Sequence, residues 1–183
     1  ASPSFAAGRK LTIAGASDLS MAFREIVPEF EKETGYKVVL SLGSTGMLAR
    51  QIEQGAPFDA FFAANRKFVE DLEKGGHLLP GTIELYAEGA LVIAVKSGAG
   101  FKVARLEDLR KSNVRRIAIA NPEHAPYGLS AMEALKSAGL WEELKSKLVY
   151  GENIRQALQF VESGNAEAGI IARSVANSPG IEF

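Results

Sequence analysis

Apolar residues fall along this chain in two alternating rhythms. Short unbroken runs, Leu11–Ala14, Val38–Leu42, Phe58–Ala63, Ala90–Val95, Ile117–Ala120, Leu148–Tyr150 and Ala168–Ile171, read as strands. Between them apolar positions recur at helical spacing. Leu19, Ala22, Phe23, Ile26, Val27 and Phe30 form one such stripe, and Met47, Leu48 and Ile52 a second. Phe68, Val69 and Leu72, then Leu129, Met132 and Leu135, then Ile154, Ala157, Leu158 and Val161 form the others. Gly35, Gly55 with Pro57, Gly75-Gly76 and Gly139 supply the stops. Arg105–Arg110 predicts a short helix, and Trp141 and Leu144 a further turn or two. Ala90–Val95 shows no alternation, as expected of a strand covered on both faces. Strand, helix and strand in repetition predict an α/β fold with largely parallel sheets. Gly98–Gly100 reads as a loop rather than a linker, and no internal repeat or low-complexity segment interrupts the pattern.

Composition narrows the classes. A length of 183 residues allows one or two domains, and 46% hydrophobic content is that of a packed protein. Lysine plus arginine number 21 against 22 acidic residues, for a net charge of -1, which argues against nucleic-acid binding. The absence of cysteine excludes a disulfide scaffold, a thiolate metal site and a cysteine nucleophile. No apolar run approaches the ~18 residues that span a bilayer; Lys96 stops Ala90–Val95. The uncharged opening, Ala1 to Gly8, reads either as the start of a mature chain after signal cleavage or as a flexible terminus.

In open α/β sheets ligands bind outside the carboxyl ends of the strands, so the strand-to-helix junctions carry the candidate chemistry. These are Ala14–Asp18, Gly43–Gly46, Asn121–Gly128 and Tyr150–Ile154. They are small, glycine-bearing and hydroxyl-rich, and none holds Lys or Arg. Each sets backbone N–H groups at a helix N-terminus, where an anion is favoured. A plainer reading stands beside this one, because Ser17, Asp18 and Thr45 are ordinary helix caps. Enzyme readings find less support. Gly43-Ser44-Thr45-Gly46 lacks the lysine of a phosphate-binding loop, and no Gly-x-Ser-x-Gly elbow occurs. Of the two histidines, His77 reads as a surface turn residue and His124 as a hydrogen-bonding stabiliser of its loop. No spacing supports a metal site, and no nucleophile–base pair is visible.

Three stretches carry a resemblance. They are Leu48–Phe61 (LARQIEQGAPFDAF), Asn121–Gly128 (NPEHAPYG), and, more loosely, the helix and strand from Glu152 to Ile171. Through them the chain, from about Leu11 to Asn177, resembles the periplasmic molybdate/tungstate-binding proteins of ABC transporters. The resemblance implies a two-domain, type II periplasmic-binding-protein-like α/β fold with a ligand cleft between the domains. It implies domain I at 1–85 and 172–183, domain II at 86–171, and chain crossings near Ala90–Val95 and after Ile171. Carried over by motif, Ser17 is the hydroxyl of the first junction, and Ser44 or Thr45 that of the second. Tyr127 and Ile154 fall where the family offers backbone N–H groups, with Asp18, Asn153 and Ala172 as further positions at the site.

Two departures alter what the resemblance implies. The family often carries a tyrosine just after the strand that is here Gly169–Ile171, and this chain has Ala172. Tyr127 or Tyr150 is then the candidate to replace that hydroxyl, with Tyr127 reaching across the cleft. Asp18 is the second departure, an N-cap in one reading and in the other a cleft-facing acceptor for a protonated ligand such as phosphate. The family also continues beyond Phe183 with a strand and helix returning to domain I, so a shortened domain I with exposed apolar surface is expected.

The reading is thus an extracytoplasmic protein, secreted by a signal peptide absent from this chain, that binds without catalysis. It delivers molybdate or tungstate to an ABC transporter permease, as a monomer, with no cofactor and with molybdenum or tungsten present only inside the bound oxyanion. The alternatives are a same-fold binder of sulfate, phosphate or a small organic anion, and the effector-sensing domain of a transcription regulator.

Overall fold

A computed structural model describes residues 9–183 of the chain; the opening octapeptide lies outside them. Two sheets organise the fold. The first has the order β2-β1-β3, with β1 at Lys10–Ala16, β2 at Lys37–Gly43 and β3 at Ala60–Phe62. All its pairs are parallel. The second contains β4 (Leu91–Lys96), β5 (Ile117–Ala120), β6 (Leu148–Gly151), β7 (Ala168–Ala172) and β8 (Ile181–Glu182), in the order β6-β5-β7-β4-β8. Here β5 runs parallel to β6 and β7, while β4 runs antiparallel to β7 and β8.

Register positions the junctions. Ala16 of β1 pairs with Gly43 of β2, so both strands end at one level and set Ser17 beside Ser44. Ala120 of β5 pairs with Gly151 of β6, which sets Asn121 beside Glu152 in the same way.

The helices follow the predicted stripes. They are α1 (Ser20–Thr34), α2 (Thr45–Glu53), α3 (Arg66–Lys74), α4 (Pro126–Ser137), α5 (Trp141–Leu144), α6 (Ile154–Glu162) and α7 (Arg173–Ala176). Gly35 ends α1 with φ 74°, a left-handed conformation in which a side chain would be strained. The second sheet is covered on both faces. Ile154, Leu158, Val161 and Val175 pack on one side, and Leu109, Leu135, Leu140 and Leu144 on the other. The first sheet has a smaller core of Ala49, Ile52 and Leu72.

Several expectations are corrected. The strand expected at Phe58–Ala63 shrinks to Ala60–Phe62, and the Asp59 carboxylate instead accepts from Thr12 N–H at 2.7 Å. The helix expected at Arg105–Arg110 is a 3-10 turn, Leu106–Arg110. The apolar stripe of α1 is only partly covered, with Phe23 buried but Ile26 and Phe30 exposed at 56% and 37%. Helical period reports an apolar face, not whether a neighbour lies over it. The segment 172–183, expected in domain I, carries α7, which touches α1 beside the first sheet, but its last strand lies elsewhere. Ile181 and Glu182 pair with Lys96 and Val95, extending the edge of the second sheet. Neither α7 nor β8 is visible as a pattern, being four and two residues long.

One close approach fixes how α4 leaves β5. A Cβ added at Gly128 would stand 2.1 Å from Ala120 O and 2.6 Å from Ala120 C, both backbone atoms that cannot swing aside. Gly128→Ala is expected to destabilise the chain by ~1–3 kcal/mol or more through overpacking. Denaturant unfolding checks this, and an unchanged midpoint would show that α4 is free to shift.

Candidate functional site

After β1 the chain makes a 3-10 turn at Ser17–Leu19 whose N-cap is Ala16, and neither this turn nor α1 has a side-chain cap. The cap expected of Ser17 and Asp18 is therefore absent, and both side chains are buried, at 5% and 7% exposure. The reason is geometric. The 3-10 turn feeds directly into α1, so Leu19 rather than Asp18 occupies the cap position, in helical backbone. Asp18 faces the cleft instead.

At the second junction Ser44 is the N-cap, accepting from Met47 N–H at 3.4 Å. Thr45, expected as a cap, is the first residue of α2; its fully buried Oγ1 accepts from Ala64 N–H at 3.0 Å and its O–H proton is left to donate. The second sheet answers from across the cleft. Pro126 opens α4, where its missing N–H costs nothing, and Tyr127 follows with an N–H that has no carbonyl one turn back. Asn153 caps α6 by accepting from Arg155 N–H at 3.0 Å and Gln156 N–H at 3.1 Å. Ile154 opens α6 with a similarly unmatched N–H.

The junctions meet directly. Gly46 N–H donates to His124 O at 2.9 Å, and Ser44 Oγ hydrogen-bonds His124 Nδ1 at 2.9 Å. The Tyr127 hydroxyl donates to Asp18 Oδ2 at 3.1 Å. Two glycines permit this closeness. A Cβ at Gly46 would lie 2.6 Å from His124 O, and one at Gly89 would lie 2.3 Å from the Tyr127 hydroxyl.

The structure thus brings Ser17, Asp18, Ser44, Thr45, Tyr127 and Ile154 around one cleft. Asn153 lines the adjoining groove with Ser17, Ser20, Arg155, Gln156 and Gln159. Ala172 ends β7 fully buried and is not among the residues lining the cleft. Tyr150 is 46% exposed and also lies outside that lining. Sequence reasoning missed Arg155, one residue beyond the fourth junction as drawn, and Tyr86, whose hydroxyl donates to Ala63 O at 2.8 Å. It also saw no Ser–His pair, because Ser44 and His124 are 80 residues apart. Ser44 Oγ caps α2 and joins the two junctions, so the pair acts as a clasp; Glu152 stands 3.7 Å from His124 Nε2.

The electrostatics turn on Asp18. Burial pushes its carboxyl above the ordinary range, and the Tyr127 hydrogen bond partly offsets this. Its Oδ1 is buried without a partner. Burial, reinforced by the Asp18 charge, pushes the Tyr86 hydroxyl up to about 12 and raises Tyr127 as well. Among the described residues no cluster of three or more His, Asp or Glu fits a metal ion. What remains is a set of neutral donors: two helix-terminal N–H groups and the hydroxyls of Ser17 and Thr45.

Comparison with known proteins places these features. A family model described as bacterial extracellular solute-binding protein matches residues 11–183. The molybdate-binding protein ModA of Azotobacter vinelandii is 42% identical over 165 residues, covering 90% of this chain and 65% of the relative. ModA of Rhodobacter capsulatus is 35% identical over 172 residues, covering 92% and 66%. The chain thus spans just under two thirds of the length of these curated relatives. The solved periplasmic molybdate-binding protein of Azotobacter vinelandii superposes with a TM-score of 0.84 at 33% identity, covering 93% of this chain and 74% of that one. The α/β, type II periplasmic-binding-protein-like class expected from the sequence is the class these comparisons show.

The Asp18 environment has a stability consequence with a defined sign. A carboxyl whose folded value is raised stabilises the fold below the ordinary carboxylate range and loses that contribution as pH rises through the raised value. Asp18→Asn mimics the neutral form. It is expected to raise the melting temperature of the ligand-free chain at neutral pH, by about 2–4 °C per kcal/mol, and to give no gain below about pH 4. Melting curves across pH check this; a gain in acid, or none at neutral pH, would contradict the burial argument.

Proposed function

The chain belongs to the family of bacterial extracellular solute-binding proteins, and from that premise we propose that its cleft captures a tetrahedral oxyanion. Molybdate or tungstate is the ligand, and an ABC transporter permease in the membrane is the receiver. Membership in a solute-binding family makes the chain a binder and not an enzyme. The observation that carries the proposal is the convergence of uncharged donors from both sheets on one cleft, with no lysine or arginine lining it.

An oxyanion there meets the N–H groups of Tyr127 and Ile154 at the N-termini of α4 and α6, with Ser17 and Thr45 hydroxyls from the facing sheet. Hydrogen bonds to a charged acceptor contribute roughly 1.5–3 kcal/mol each. A handful supports tight binding after the costs of ordering and closure. Of the two hydroxyls left open at the second junction, Thr45 is the donor in this reading, because Ser44 holds His124 and caps α2.

The domain reading is two lobes joined by the segment leading into β4 and by the chain after β7. Residues 9–85 form the bulk of one lobe and 86–171 that of the other. Ligand held between the lobes favours their closure, and the closed form is what a permease recognises. The setting is extracytoplasmic, as the family description and the relatives' names support.

A second reading is favoured by one observation. Asp18, buried in the cleft with a free oxygen, suits an anion that carries its own proton, such as phosphate.

Calorimetric titration separates them. Molybdate and tungstate are expected to bind, with sulfate and phosphate weaker. Ser17→Ala is expected to weaken molybdate binding by roughly 1.5–3 kcal/mol with little change in melting temperature, since Ser17 caps no helix. Phosphate binding with none from molybdate would overturn the reading, and an unchanged affinity in Ser17→Ala would remove Ser17 from the site.

A further inference from the structure

We propose that Asp18 binds the oxyanion as a neutral carboxylic acid, its Oδ1–H donating to the anion while Oδ2 accepts from Tyr127, so that each dianion enters with one proton. The inference rests on the reading of the cleft as an oxyanion site.

Position comes first. Asp18 lies beside Ser17 in the cleft and is 7% exposed. Its two oxygens are not equivalent. Oδ2 accepts the Tyr127 hydroxyl from across the cleft, whereas Oδ1 is buried with no partner. A buried polar atom left in this state calls for a partner, and this one belongs to the residue set that faces the proposed ligand.

Among the described residues no cation pairs with the carboxylate. Across the cleft it accepts from the Tyr127 phenol, and the Tyr86 phenol lies near enough to feel its charge. His124, from the loop before α4, is held by Ser44. On α6, Arg155 is paired with Glu162 at 3.2 Å. Arg173 of α7 is exposed, as are Arg24 and Glu25 of α1. An ionised carboxylate beside a dianion, out of water and without a cation, is strongly repelled. Protonation removes that repulsion and supplies a donor at the oxygen that lacks one. A carboxyl kept neutral by its surroundings is known to serve an oxyanion in this way. Burial already favours the neutral form here.

The proton balance follows. Where ligand-free Asp18 is ionised, the dianion and one proton from solvent enter together, and affinity falls about tenfold per pH unit. At the acidic end, where ligand-free Asp18 is already neutral, binding takes up no proton and affinity is flat. An anion that brings its own proton gives it to Oδ1 and shows no net uptake.

The test is titration with sodium molybdate in pairs of buffers of different ionisation enthalpy, from about pH 6 to 9, a range that brackets strongly raised carboxyl values. The expected result is uptake approaching one proton per molybdate at the alkaline end, with affinity falling about tenfold per pH unit there. Tyr127→Phe removes the hydrogen bond that favours the ionised form, so it is expected to move the onset of this fall to higher pH. Asp18→Asn is expected to bind molybdate with no proton uptake and a flat pH profile. Molybdate binding without uptake, at an affinity constant across the range, would overturn the inference while leaving the oxyanion reading intact. Failure of molybdate to bind at any pH would overturn that reading and the inference with it. Phosphate binding with none from molybdate, at whatever proton uptake, would likewise overturn both. The buffer-pair measurement on the unaltered chain decides the question even if a variant fails to fold.

Discussion

Charge held between two sheets and out of water must be met by polar groups fixed in advance, and the parts of this cleft answer to that constraint. Parallel pairing does the first part of the work. Because β1 and β2 end at one level, and β5 and β6 at another, four junctions face one gap. The helices that follow cannot satisfy their own first N–H groups, so α4 and α6 present them outward. Side chains then divide the remaining tasks. Asn153 and Ser44 hold helix ends in place, while Ser17 and Thr45 are not needed for capping. The absence of lysine and arginine from the lining is consistent with this design, since fixed dipoles need no reorganisation when an anion arrives.

Close packing around the cleft depends on three missing side chains, two at the contacts across it and one, Gly128, within the second sheet's own β5–α4 turn. Gly46 lets its N–H reach His124 O, Gly89 leaves room for the Tyr127 ring, and Gly128 lets α4 start against Ala120. None of the three has positive φ, so their role is space and not backbone conformation. This explains why the gap is narrow although the two sheets share no strand pair. The contacts across the cleft are thus polar ones.

Much of this was legible in the sequence, and the limits have physical causes. The strand and helix pattern was readable because apolar period reports which face of an element is buried. The junctions were readable because small and hydroxyl residues cluster where strands end. Whether α1 is covered was not, since Ile26 and Phe30 have the same period whether or not a neighbour exists. The cleft contacts were invisible for another reason. Ser44 with His124, and Asp18 with Tyr127, are 80 and 109 residues apart, and no local pattern announces such a pair. Asp18 shows the cost most clearly. A carboxylate at a helix start reads as a cap, and only the 3-10 turn that carries the chain past the cap position turns it inward. Arg155 is the second residue of α6, one past the junction, where residue type alone marks no site.

The two side-chain contacts across the cleft differ in what they respond to. Ser44 and His124 join through a serine hydroxyl and an imidazole, with Ser44 also tied to α2, so this clasp joins the two junctions without a carboxylate. Asp18 and Tyr127 join through a carboxyl whose charge depends on what lies beside it. An ionised Asp18 strengthens its bond to the phenol and repels a dianion; a neutral Asp18 weakens that bond and accommodates the dianion. The phenol and the anion therefore compete for opposite protonation states of one carboxyl. A cleft built from neutral donors alone would distinguish anions by size and geometry. Under the proposal, Asp18 in its wall adds a second criterion, where the anion's protons are.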